Sequence, residues 1–80
     1  MTLFKVGSVV KATAGKEKGR LFAVIGYNDN KLLISDGRTR RLNKPKTKSE
    51  KHLEYLDIVL DNKCFSSNRE LRRALNDVDI

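Results

Sequence analysis

The run Gly15-Lys16-Glu17-Lys18-Gly19-Arg20 lies between two apolar stretches, Val9-Val10 before it and Leu21 to Ile25 after it. Apolar runs flanking a tight turn bounded by glycines read as a β-hairpin. Its tip presents Lys16 and Lys18, with Arg20 at the start of the return strand, and cations raised on a short turn are suited to meeting an anion. Residues 38–52 concentrate charge further, with Arg38, Arg40, Arg41, Lys44, Lys46, Lys48 and Lys51 set against Glu50 alone. Like charges at this density repel one another, and a bound anion relieves the repulsion. The three arginines can fork onto phosphates or stack on bases, whereas Lys44, Lys46, Lys48 and Lys51 act as mobile point charges. His52 has two readings, a ring that stacks on a base or a residue at the edge of a loop. Tyr27 and Tyr55 likewise read as stacking platforms or as members of a small core.

Catalysis finds little support. One His, one Cys and scattered acids place no nucleophile beside a base, no metal-ligand cluster, and no phosphate-cradling loop at a helix start. The chain therefore reads as non-enzymatic, with no cofactor, no metal and no small-molecule substrate. It contains no apolar run of the roughly 18 residues that a membrane helix needs, and no apolar anchor stands beside the basic loop, so no membrane partner is expected. The N-terminal residues reach Lys5 and Gly7 before an apolar stretch can form, and Cys64 is the single cysteine. Both features predict a cytoplasmic protein in a reducing compartment, with Cys64 as a small buried hydrophobe. Net charge is +7, yet residues 53–80 carry four cations against six acids. The excess positive charge is thus confined to the hairpin tip and the later basic segment, a polarity that implies a polyanion at one face.

Positioning these cations falls to one small domain, since 80 residues leave no room for a second core. Alternation and turn residues predict strands at 8–14, 20–27, 31–35 and 38–42, with Asp36-Gly37 as a two-residue hairpin turn between the last two. Pro45 ends any ladder, and 43–51 reads as an exposed, mobile loop. A fifth strand begins at Leu53 and aligns Leu56, Ile58 and Leu60 on one face. Five short strands with tight connections are best closed into a mainly β, SH3-like, five-stranded, partly open barrel over about residues 5–61, because closure removes free edges. In the tail, Ser67 and Glu70 have capping-box spacing. Leu71, Ala74, Leu75 and Val78 form one apolar stripe on a short C-terminal α-helix at about 67–77. So short a helix is marginal alone in water and must dock on the barrel or on a partner.

The order of residues across 6–37 resembles the KOW motif of large-subunit ribosomal proteins and of elongation factors of the NusG class. The matching features are Gly7 two residues before the Val9-Val10 pair, the Gly-Lys-x-Lys-Gly-Arg loop, the hydrophobic return strand, and a short strand from Lys31 to Ser35 leading into Asp36-Gly37. The resemblance implies an SH3-like barrel whose hairpin loop touches RNA backbone through Lys16, Lys18 and Arg20. The later basic segment and Leu-rich strand are similar in layout to archaeal and eukaryotic large-subunit ribosomal proteins with an N-terminal KOW domain. That similarity implies a bacterial relative bound to ribosomal RNA or to ribosome-associated RNA, with ribosomal proteins as further partners through the C-terminal helix. Two rival readings stand beside it. KOW domains of elongation factors contact polymerase or ribosomal proteins, which makes a protein-interaction module of the transcription and translation machinery one alternative. Positive charge does not distinguish the two nucleic acids, which makes a non-specific DNA-binding protein the other.

Overall fold

The computed structural model describes residues 5–78 of the single domain predicted over 1–80. Five strands, β1 (Ser8–Ala12), β2 (Leu21–Asn28), β3 (Lys31–Ser35), β4 (Lys46–Ser49) and β5 (Leu53–Val59), precede the helix α1 (Asn68–Asn76). They form one antiparallel sheet in the order β4-β3-β2-β1-β5. Register shifts between Ser8 and Val10 in β1 and between Val24 and Gly26 in β2 mark bulges, which bend and twist a sheet. The sheet curls into the expected mainly β, partly open barrel. Among the described residues no helix is long and apolar enough to cross a membrane.

β1 and β2 are buried on both faces because each face has its own partner. Val10 and Ala12 turn inward with Phe22, Val24, Leu32, Ile34 and Leu53 to fill the barrel. Val9 and Ala23 face outward and are covered by Leu71 and Leu75 of α1, with Leu56, Ile58, Leu60 and Phe65 packed around them. The helix thus docks on the barrel, the first of its two options. Ser67 caps it as expected, its hydroxyl accepting from the Glu70 amide at 3.2 Å, while the Glu70 carboxylate turns to Arg73 at 3.7 Å.

Four expectations are corrected. Residues 38–42 do not form a strand, and Asp36-Gly37 is not a two-residue hairpin turn. Asp36 Oδ1 accepts from the amides of Arg38 (2.9 Å) and Arg40 (2.8 Å), giving the backbone a local partner in place of a ladder. Gly37 has φ +74°, and a Cβ there would run into the Asn68 carbonyl at the start of α1. The 43–51 segment, read as a mobile loop, instead supplies β4, paired to β3 from Lys31↔Ser49 to Ile34↔Lys46, followed by a 3-10 turn at Glu50–His52. It escaped the sequence pattern because Lys46-Thr47-Lys48-Ser49 contains no apolar residue. Cys64 is half-buried rather than buried, in a 3-10 turn at Asn62–Phe65, and Tyr27 is 46% exposed. Tyr55 is half-buried against the barrel core.

Candidate nucleic-acid interface

The hairpin tip is built by four backbone hydrogen bonds. The Lys18 amide donates to the Gly15 carbonyl, Gly19 to Ala12, Arg20 to Glu17, and Ala12 to Arg20. Gly15 and Gly19 have φ of +81° and +88° with open space around them, so here the conformation alone calls for glycine. This geometry sends Lys16 and Lys18 into solvent and turns the residue between them inward: Glu17 is only 7% exposed.

Glu17 joins the two basic regions. Its Oε2 accepts from Arg40 Nε at 3.2 Å and its Oε1 from Lys46 Nζ at 2.8 Å, with Lys48 Nζ at 4.0 Å. Lys46 and Lys48 stand opposite Ile34 and Leu32 on β3, so they share the core-facing side of the sheet. Inward-pointing charges on an edge strand guard it against pairing with other chains, and here they need a counter-charge, which Glu17 supplies. Burial acts to raise the Glu17 carboxyl, but hydrogen bonds from Lys46 and Arg40, and their charges, outweigh it and hold the group below its ordinary value. One carboxylate shared by three cations leaves the cluster positive.

The other predicted residues divide by their surroundings. Arg20 Nη1 donates to Thr39 Oγ1 at 3.0 Å, a second bridge between the hairpin and the 36–41 loop. Arg38, Arg41, Lys44 and Lys51 are exposed, and among the described residues none of them pairs with an acid. The His52 carbonyl accepts from the Thr13 amide at 2.9 Å, which sets the 3-10 turn against the base of the hairpin loop. Lys48 is a structural cation rather than a mobile one. Its side chain is 11% exposed, and its ammonium donates to the Ala14 carbonyl at 3.4 Å. Lys46 and Arg40 keep about a third of their side chains in solvent, positioned but still reachable.

Charge counting along the sequence missed Glu17 as the organiser of the site, although a single acid centred in a loop of cations is the signal that points to it. It also missed Arg72, whose place beside the 36–41 loop comes from helix docking. Among the described residues no three His, Cys, Asp or Glu side chains gather in a way that could hold a metal ion. Compared with known proteins, the chain matches no family model and has no significant match among curated proteins. The reading of the site therefore rests on its own geometry. That geometry leaves Lys16, Lys18, Arg20, Arg38 and Arg41 exposed to solvent.

Proposed function

We propose that this chain is a non-enzymatic, cytoplasmic RNA-binding protein of the KOW type, ribosomal or associated with translation, that holds the phosphate backbone through its hairpin tip and the adjoining basic loop. The observation that carries this reading is the Glu17 junction. It draws two basic segments separated in sequence together, against the repulsion between them, and among the described residues leaves the outer cations without acid partners. Such an arrangement costs electrostatic energy in the free protein, and a polyanion recovers it. Contacts of this kind fix position along the backbone without reading sequence. The apolar side of α1 is consumed by the barrel, so a ribosomal protein partner would meet its polar side.

The reading is tested by crosslinking in cells and sequencing of the bound RNA, with ribosomal RNA expected to dominate; messenger RNA or DNA in its place would overturn the assignment. In vitro, neutralising about five phosphates should lower affinity for duplex RNA by roughly three decades between about 50 and 200 mM salt. A flat titration would remove the electrostatic mechanism.

A further inference from the structure

Between the 36–41 loop, the start of β2 and the second half of α1 lies an open cleft of about 220 Å³, whose lining includes Arg20, Arg38 and Arg72 together with Leu21 and Leu75. The three arginines come from three distant parts of the chain and are brought together only by the docking of α1. Asp36 also borders the cleft, but its Oδ1 is occupied by the Arg38 and Arg40 amides. Among the described residues neither Arg38 nor Arg72 has an acidic partner. Three guanidinium groups and one carboxylate leave the cleft with an excess of positive charge. Arginine side chains that line one concavity suit phosphate oxygens, which guanidinium groups bind through paired hydrogen bonds, although Arg20 Nη1 is shared with Thr39. Free phosphate would leave the two leucines of the lining unused. Apolar lining beside Asn76, whose amide can both donate and accept, suits the flat body and polar edge of a base. The cleft is smaller than the roughly 300–1,000 Å³ of sites for drug-sized ligands, which limits it to one nucleotide unit.

We infer that this cleft seats a single nucleotide from an unpaired stretch of the bound RNA, its phosphate among Arg20, Arg38 and Arg72 and its base over Leu21 and Leu75. The inference rests on the RNA-binding reading and adds a preference to it. The hairpin tip follows backbone of any form, whereas the cleft demands a nucleotide free to leave the stack, as unpaired RNA provides.

The test compares fluorescence anisotropy of an unstructured RNA of about ten nucleotides with that of a blunt RNA duplex, for the parent, Arg72→Gln, Arg38→Gln and the pair Lys16→Gln/Lys18→Gln. Loss of one charged contact corresponds to about tenfold in affinity. Arg72→Gln should show that loss on the single strand and little change on the duplex, whereas Arg38→Gln and the hairpin pair should weaken both. Amide NMR titration of the full chain with AMP should shift Leu21, Arg38 and Asn76 more than inorganic phosphate or adenosine does. Equal losses on both RNAs for Arg72→Gln, or phosphate shifting these amides as much as AMP, would overturn the cleft and leave RNA binding intact. A parent that binds neither RNA would overturn the RNA reading and the cleft with it.

Discussion

The hairpin tip at 15–20 and the segment at 36–49 are assembled from similar residues, glycine, lysine, arginine and one inner acid, yet they use them in opposite ways. At the tip the cations point to solvent, the acid points inward, and the glycines lie in open space. In the later segment Lys46 and Lys48 point toward the core, Asp36 holds backbone amides, and Gly37 is wedged against α1. The tip therefore offers its charge to a ligand, while the later segment spends part of its charge on the fold. Cations counted along a sequence overstate those available for binding.

The largest test of this contrast is a pair of glycine substitutions. Gly37→Ala combines about 1–2 kcal/mol for a side chain at left-handed φ with about 1–3 kcal/mol for forcing atoms into packed structure. Gly15→Ala meets only the first cost, because no atom lies within 4 Å of its added Cβ. Chemical denaturation should rank Gly37→Ala well below Gly15→Ala in stability, and equal losses would show that the 36–41 loop is as free as the tip.

Glu17→Ala comes next. Removing one partner of a buried ion pair costs about 3–5 kcal/mol, and partial exposure of Arg40 and Lys46 reduces this to about 1–3 kcal/mol. Lys16→Gln and Lys18→Gln should stay within about 0.5 kcal/mol of the parent, as exposed substitutions do. Charge reversal at Arg40 and Lys46 should lower the thermal midpoint for the same reason, whereas reversal at Arg41 and Lys44 should leave it unchanged or raise it.

A pH series sharpens the same point. The folded Glu17 carboxyl titrates below its ordinary value of 4.5, so the unfolded chain binds the proton more readily. The stability Glu17 contributes is then fully present above about pH 4.5 and is lost as pH falls through the lower, folded-state value. Glu17→Gln should flatten that part of the stability curve, and a variant that follows the parent down to low pH would dissociate Glu17 from the junction.

The smallest effect is kinetic. A flexible 43–51 loop would lose entropy on binding, making each hairpin cation worth more than each loop cation. Because β4 and the Lys44 amide bond to the Arg41 carbonyl already hold that segment, the difference should nearly vanish. Lys16→Gln/Lys18→Gln and Arg41→Gln/Lys44→Gln should reduce RNA association rates to a similar extent per charge, and a hairpin effect several times larger would restore the contrast in mobility.

Several features were legible in the sequence because their causes are local. The glycine-bounded tip, strands β1 to β3, the Ser67 cap and the Leu71/Leu75 stripe each follow from turn chemistry or from periodicity within a few residues. The alternation of Leu56, Ile58 and Leu60 likewise marked a buried face, although what covers it is α1 rather than the barrel interior. Tertiary structure decided the rest. Lys46 to Ser49 has no apolar pattern of its own and becomes a strand only because β3 offers an edge and Glu17 a counter-charge. Asp36-Gly37 carries the residues of a hairpin turn, but its outcome was set by amides two and four residues on and by the helix packed against it. Arg20, Arg38 and Arg72 share a cleft only because α1 docks where it does. Residue order fixes which charges the chain carries, but their mutual distances, and hence whether each meets an acid, a phosphate or water, depend on contacts between segments far apart in sequence.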